Sequence, residues 1–302
     1  MAKIKRKFNL NDFAFIVAML ILPTLQFAIF YIGTNVNSFA LAFQRYENGS
    51  FVSNGWGNFK QVFADLAGSS EVHYAIKNSF IVYGVGLIVS IPLAIVFAYY
   101  VYKKFPLGGV FKILLYLPSL LSLLTLCLMY RYFADYAVTE AVRKVFGTTI
   151  RNGFYSNRNT QYGAYMLAFI LFSAGSTLLL YLGAMSGISP SLIEASEIDG
   201  AGNLTQLIRI VVPTIFPTIK TFFICGIAGI FSNQFNLLYF EGLGAAPKYE
   251  TIGYYFYKLI ATTGGRQNYA YVATFGLFLS IILIPVTLVI NKLMDMWQEK
   301  IA

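Results

Sequence analysis

The sequence predicts an all-α integral membrane protein with six transmembrane helices. The chain of 302 residues is 57% hydrophobic and 12% charged, whereas soluble domains carry roughly 25% charged residues. Its apolar residues also gather in six runs that lack Asp and Glu and are long enough to cross ~30 Å of hydrocarbon. A soluble fold of this size has too little interior to bury so much apolar surface.

The predicted spans form a single transmembrane domain, residues 13–302, after a basic N-terminus at 1–12. They are residues 13–32, 78–102, 113–130, 162–187, 213–240 and 269–290. The positive-inside rule places the N-terminal lysines and the basic turn at 103–104 in the cytoplasm. Alternation then puts both chain termini in the cytoplasm, although the basic loop 136–161 falls outside. The first run also fits a signal peptide cleaved near Ala40, but it is longer than a usual signal core.

Composition excludes several classes of function. The net charge of +9 indicates contact with anionic lipid headgroups in a chain this apolar, and we expect no nucleic-acid partner. Cys127 and Cys225 lie in apolar runs and are interpreted as small buried hydrophobes. With His73 as its single histidine, the chain shows neither a zinc-ligand spacing nor a nucleophile–base pair. We therefore expect no metal site and no catalytic residues.

Prolines and glycines mark special positions within the spans. Pro92 and Pro118 free backbone groups that neighbouring helices have to satisfy. Gly163, Gly175 and Gly183 are small residues on the fourth span. Such residues let two helix backbones approach closely, so this span is predicted to pack tightly.

Residues 188–212 form an acidic island between the fourth and fifth spans, on the cytoplasmic side. Pro190 predicts a helix start because its fixed backbone angle suits the first turn. Gly200 predicts the sharp turn that ends this helix. Such a segment either docks into a groove of another protein or lies on the headgroups as an amphipathic connector. The residues alone leave these two interpretations equally open.

The run E-A-S-E-I-D-G-A, from Glu194 to Ala201, resembles the EAA loop of ABC importer permeases. The family pattern is E-A-A-x-x-D-G-A followed by I-x-x-P, here ending at Pro213, so Ser196 is the one departure. Other segments are similar to the sugar-uptake branch that includes the maltose-type permeases, and they extend the resemblance over most of the chain. These segments begin at Trp56, Ala75, Phe235 and Asn268. The glycine-rich segment of that branch is eroded at 242–247.

The resemblance implies a cytoplasmic coupling helix between helices four and five, seated in a cleft of an ATPase subunit. The coupling residues that it implies are Glu194, Ala195, Ser196, Asp199, Gly200 and Ala201. Glu194 is expected to pair with a basic group of the ATPase. The chain has no G-x-x-x-x-G-K-[ST] loop to hold ATP phosphates. ATP and Mg²⁺ are therefore expected on the partner ATPase, with no cofactor on this chain.

By the same resemblance, the chain is expected to be a non-enzymatic permease in a bacterial cytoplasmic membrane. Its expected partners are a second permease, two ATPase subunits, an extracellular solute-binding protein, membrane lipid and the transported sugar. An importer of another solute, such as a peptide, an amino acid or a polyamine, is the alternative. A secondary transporter is disfavoured because no carboxylate lies inside the six runs.

Polar residues inside spans are costly, so they are candidates for the path of the substrate. Sugars bind through hydrogen bonds to their hydroxyls and through stacking on aromatic faces. The candidate pathway residues are Asn233, Gln234, Asn236, Ser173, Ser176 and Tyr130. The alternatives are helix packing for the serines and interhelical hydrogen bonding for the amides.

Overall fold

The computed structural model describes residues 10–148, 151–262 and 265–301, without the side chains of 10–12, 176 and 301. The chain divides into two compact units. One comprises residues 1–67 with 263–278, and the other comprises residues 68–262 with 279–302. Both units are predominantly helical where they are described, which agrees with the all-α expectation.

The first unit combines a long helix with a β-hairpin that the sequence analysis missed. Helix α1 is continuous through Leu10–Gln26, the π-helical Phe27–Gly33 and Thr34–Ala42. Strands β1 (Gln44–Glu47) and β2 (Ser50–Ser53) pair in antiparallel fashion. Their turn is Asn48–Gly49, with φ of +50° and +87°, the Asn-Gly dipeptide that favours two-residue hairpins. Helix α2 follows at Gly57–Gly68.

Asn58 holds the junction between α1 and the hairpin. Its Nδ2 donates to the carbonyl oxygens of Ala42 and Gln44, at 2.9 and 2.7 Å. Thr274 also donates to the Ala42 oxygen, at 3.1 Å, from the helix Arg266–Ile301. Because a buried backbone oxygen needs a donor, these two side chains explain how α1 ends inside the first unit.

The second unit contains most of the helices and two apolar core clusters. In chain order the helices are α3 (Ser70–Tyr102), α4 (Gly108–Leu120), α5 (Leu123–Phe146), α6 (Gln161–Ser186), α7 (Pro190–Ile198), α8 (Asn203–Thr214), α9 (Phe216–Ala228), α10 (Leu237–Glu241) and α11 (Ile252–Thr262). The last helix, α12 (Arg266–Ile301), belongs to this unit from Leu279 onwards. A 3-10 turn lies at Pro247–Tyr249, and π-helical stretches lie within α3, α5 and α8 at Gly86–Ser90, Phe133–Val138 and Leu207–Val211. The C-terminal half of α3 packs most extensively against α6.

Four helices of the described chain are long and apolar enough to cross a membrane, or up to six if each of two bent pairs forms one span. The single helices contain Phe13–Ala42, Ser70–Tyr102, Gln161–Ser186 and Arg266–Lys300. The bent pairs are α4 with α5, at 112°, and α8 with α9, at 68°. These counts rest on length and composition, so six spans stay a prediction.

Two predicted spans are not the continuous helices expected. The run 113–130 breaks at Leu121, three residues after Pro118, where the backbone becomes extended. The run 213–240 also fails as one helix, because α9 ends at Ala228 and turns follow up to α10. In that stretch Phe235 and Asn236 adopt positive φ. Apolar composition continues through the first break, so a hydropathy pattern does not register it, whereas the second break contains polar residues at 232–234 and 236.

Close packing of α6 rests on one of the three predicted glycines. A Cβ at Gly175 would lie much closer to the Leu115 backbone oxygen on α4 than van der Waals contact allows. A Cβ at Gly163 would meet only the Phe154 ring, at 3.7 Å, and one at Gly183 would meet no described atom within 4 Å. The small-residue prediction therefore holds at Gly175.

Candidate functional site

The acidic island folds as the sequence predicts, with a short helix followed by a glycine turn. Pro190 occupies the first turn of α7 behind Ser189. The helix ends at Ile198, and Gly200 follows with φ +77°, a conformation that glycine adopts without a Cβ penalty. Helix α8 then leads towards Pro213.

Ser196, the one departure from the family pattern, is buried and belongs to a hydrogen-bond network. Its hydroxyl donates to the Ile193 carbonyl at 2.7 Å and accepts from Gln206 Nε2 at 3.1 Å. Gln206 is 1% exposed, and its Oε1 accepts from Tyr99 and Lys103 at 3.2 and 3.1 Å. An alanine offers no such hydroxyl, so the serine here adds a polar link between α7 and α8.

Lys103 joins the end of α3 to α7. Its Nζ lies 2.6 Å from Glu197 Oε1, and the lysine side chain is 15% exposed against 53% for the glutamate. The hydrogen bond and the charge of Lys103 hold the pKa of the Glu197 carboxyl below its usual value. The basic turn at 103–104 and the acidic island therefore meet directly.

The remaining island residues form an exposed surface with mixed chemistry. Glu194, Ala195, Asp199 and Gly200 are exposed, and Ala201 is half-buried. Exposed apolar side chains lie beside them on α7 and α8. They are Leu192, Ile198, Leu204 and Ile208, with Ile198 87% exposed. Apolar side chains rimmed by charge mark an interaction surface.

A cavity of about 230 Å³ lies between α3, α6 and α9. Its apolar wall includes Phe169, Phe222 and Phe223. Its polar side chains are Ser79, Tyr83, Ser90, Ser173, Thr177 and Asn233. The buried Ser90 hydroxyl has no hydrogen-bond partner among the described residues. The cavity can therefore offer hydroxyl and amide groups to a polar guest between aromatic surfaces.

The structure brings together only part of the predicted pathway set. Asn233 and Ser173 line the cavity. Gln234 and Asn236 lie in the turn beyond α9, half-buried and outside the cavity lining. The side chain of Ser176 lies outside the described part of the chain.

Tyr130 lies in a core cluster and not in the cavity lining. It is 5% exposed, and its hydroxyl donates to the Ala164 carbonyl at 2.7 Å. Its ring packs edge-on against Phe172 and Phe240. These contacts give Tyr130 a packing role, which the sequence alone did not distinguish from a pathway role.

Sequence reasoning missed the contribution of α3 to the cavity. Ser79, Tyr83 and Ser90 are spaced by four and seven residues, which places them along one side of a helix. This line of polar residues within the second apolar run was the signal from which the contribution of α3 to the cavity could have been predicted.

Comparisons with known proteins give a consistent result. Residues 90–302 match the family model described as "Binding-protein-dependent transport system inner membrane component". The chain is 24% identical over 294 residues to the polygalacturonan/rhamnogalacturonan transport system permease protein YteP of Bacillus subtilis, covering 93% of this chain and 88% of that protein. It is 23% identical to the arabinooligosaccharides transport system permease protein AraP of the same organism, covering 89% and 85%.

A solved structure shares the fold. A chain in the crystal structure of a bacterial alginate ABC transporter in complex with an alginate pentasaccharide-bound periplasmic protein superposes with a TM-score of 0.72. The sequence identity is 22%, over 91% of this chain and 92% of that chain.

Proposed function

Because this chain belongs to the family of binding-protein-dependent transport system inner membrane components, we propose that it is the permease subunit of an ATP-driven importer of a sugar or oligosaccharide. The observation that carries the proposal is the family match over residues 90–302, together with relatives named for carbohydrate transport. Peptide, amino-acid or polyamine cargo is not favoured by these relatives. ATP hydrolysis is assigned to separate subunits.

In this proposal α7 is the coupling helix, and its exposed surface docks on a cytoplasmic ATPase. Glu194, Asp199 and the apolar Ile198 all lie on that surface. An anionic membrane surface would repel the two carboxylates, whereas a protein groove with a basic residue would accept them. The exposure of these groups therefore supports docking over the lipid connector. Gly200 and Ala201 complete the turn, and Ala195 lies on the same exposed helix.

The cavity between α3, α6 and α9 is the proposed passage for the sugar. Its hydroxyls and the Asn233 amide suit the hydroxyl groups of a carbohydrate, and its phenylalanine rings suit the apolar faces. Rocking of the spans between inward and outward states would expose such a site alternately to each side.

The proposed assembly contains a second permease, two ATPase subunits and an extracellular solute-binding protein. The alginate transporter complex supports the last of these, because it includes a periplasmic protein loaded with sugar. We propose six spans with both termini in the cytoplasm, in which α4 and α5 count as one span and α8 lies on the cytoplasmic side of the span that contains α9. The multi-pass chain would lie in the bacterial cytoplasmic membrane.

The test is sugar uptake by proteoliposomes that contain this chain and the partner subunits encoded with it. Glu194→Arg is expected to reduce sugar-stimulated ATP hydrolysis and uptake by at least tenfold, because it places a positive charge against a basic groove. Glu299→Arg makes the same charge change at an exposed site on α12 and is expected to leave both rates within twofold. Wild-type complex that takes up no sugar, or a Glu194→Arg complex with full activity, would contradict the proposal.

A further inference from the structure

The segment 247–253, called the strap here, follows α10, includes the first two residues of α11 and is bound to α3. Asn78 Nδ2 donates to the carbonyl oxygens of Lys248 and Glu250, each at 2.9 Å. The Asn78 oxygen accepts from the Tyr162 hydroxyl at 3.1 Å. Asn78 is 4% exposed, so its amide is committed to holding the strap.

A second contact fixes the C-terminal end of the strap to the same helix. The Ile252 backbone N–H donates to Ser79 Oγ at 2.9 Å. Ser79 is 1% exposed and also belongs to the cavity lining. The segment that begins at Ala75, which is similar to the sugar-uptake branch of permeases, thus binds the strap through Asn78 and Ser79.

The strap in turn contacts the turn that follows α9. The Thr251 hydroxyl donates to the Asn233 carbonyl at 2.6 Å, and Thr251 is fully buried. Gly253 lies so close that a Cβ there would be 2.5 Å from the Ser232 carbonyl oxygen. The backbone at 232–233 therefore rests directly on the strap.

The turn that follows α9 needs such support because two of its residues adopt an unfavourable backbone conformation. Phe235 and Asn236 have φ of +54° and +58°, in the left-handed region where the Cβ of a non-glycine residue crowds its own backbone. The Asn233 Oδ1 accepts from the Phe235 N–H at 2.7 Å, which adds one local bond. Residues in such conformations persist only when the surrounding structure holds them.

We propose that Asn78, Thr251 and Gly253 are positioning residues for transport. Through the strap, they hold the turn after α9 so that Asn233 faces the sugar passage. None of the three lines the cavity, and they act through the backbone of residues 232–233. This inference rests on the proposed function of the cavity, but the position of Asn233 can be measured separately.

The first measurement is cross-linking in a Cys225→Ser background, because Cys225 is exposed whereas Cys127 is buried. Asn233→Cys and Ser173→Cys are introduced together, since both positions line the cavity. A short bifunctional thiol reagent is expected to join them in the assembled complex. Adding Thr251→Val is expected to lower the cross-linked fraction at least threefold, and adding Thr251→Ser to restore it.

The second measurement is uptake by the reconstituted complex without engineered cysteines. The probe is the labelled galacturonate or arabinose disaccharide that the wild type transports faster. Thr251→Val and Gly253→Ala are expected to raise the apparent KM about fivefold while the maximal rate stays within twofold. Thr251→Ser is expected to keep the wild-type KM.

Asn58→Ala is the matched control for Asn78→Ala. Both asparagines bridge two backbone carbonyls, but Asn58 belongs to the first unit and does not line the cavity. Only Asn78→Ala is expected to change the cross-link. An unchanged cross-link in Thr251→Val and Asn78→Ala would overturn the positioning role. A strap-dependent cross-link in a complex without sugar uptake would uphold it and reject the proposed function.

Discussion

At the scale of single residues, Lys103 connects Glu197 of the acidic island with Ser196, the one departure from the family pattern, through Gln206. The lysine pairs with Glu197 and also donates to Gln206, which bonds the unusual Ser196. A single cation thus connects the end of α3 with both helices of the island. Through these contacts α3, α7 and α8 share one polar network.

We expect a measurable coupling between Lys103 and Glu197. The Glu197 side chain is 53% exposed, so water and salt screen this ion pair and its contribution to stability is small. A double-mutant cycle with Lys103→Met and Glu197→Gln, followed by unfolding in mixed micelles, is expected to give a small favourable interaction energy. Additive effects of the two changes would show that the contact contributes nothing to stability.

Glu250 predicts a pH dependence of stability. It is fully buried on the strap, Lys258 lies 2.6 Å from its Oε1, and its Oε2 has no hydrogen-bond partner among the described residues. Burial raises the pKa of this carboxyl, Glu71 adds to the rise and Lys258 opposes it. Because the folded state binds the proton more tightly than the unfolded chain, protonation stabilises the fold.

The wild type is therefore expected to gain stability relative to Glu250→Gln as the pH falls through the raised pKa of Glu250. The gain is complete below the ordinary glutamate pKa of about 4.3. Thermal unfolding of both proteins in the same detergent, from pH 8 to pH 4, measures the difference. A difference in midpoint that stays constant with pH would contradict the assignment.

At the scale of elements, the close contact between α4 and α6 depends on Gly175, which has no side chain. Gly175→Ala is expected to destabilise the protein by about 1–3 kcal/mol, the usual cost of overpacking, because the Leu115 backbone cannot move as a side chain does. Gly183→Ala is the control on the same helix, where the added methyl meets no described atom within 4 Å. It is expected to be neutral or stabilising by up to about 1 kcal/mol. Equal effects in denaturant unfolding would reject the close contact.

The helices that the sequence predicted well are those with long apolar runs and clear ends. The ends of the short helix α7 were located because proline fixes the φ of its first turn at Pro190 and glycine adopts the positive φ of the turn at Gly200. The turn at Phe235 and Asn236 was missed; its positive φ angles adjoin the Asn233 backbone, which Thr251 contacts from 18 residues further along the chain. Residues distant in sequence supply those contacts, so local sequence patterns do not predict them.

The candidate site shows the same division. The exposed carboxylates of the island followed from a linear motif, whereas the cavity required knowing which faces of three helices meet. Asn233 and Ser173 were found because polar residues in apolar runs are unusual. Tyr130 is also a polar residue in an apolar run, but its hydroxyl donates to the Ala164 backbone. The direction of its side chain depends on how the helices pack, which the sequence alone does not give.

At the scale of the whole molecule, the proposed orientation places the island and the basic outer loop on opposite sides of the membrane. In a Cys225→Ser background, Arg158→Cys is expected to react with a membrane-impermeant maleimide in intact spheroplasts. Ser191→Cys is expected to react only after permeabilisation. Both positions are exposed, so the contrast reports sidedness. Labelling of Ser191→Cys in sealed cells would reverse the assigned orientation.

The hydrogen bonds from Asn78 to the strap also have a consequence for the folding of the chain during its synthesis. The carbonyl groups that its amide binds, at Lys248 and Glu250, lie 170 and 172 residues further along the chain. At synthesis rates of about 5–20 residues per second, the ribosome needs on the order of ten seconds or more to deliver them. During that interval α3 is already made while the Asn78 amide lacks these acceptors. Completion of this contact therefore marks a late step of maturation, after α7 and α9 have been synthesised.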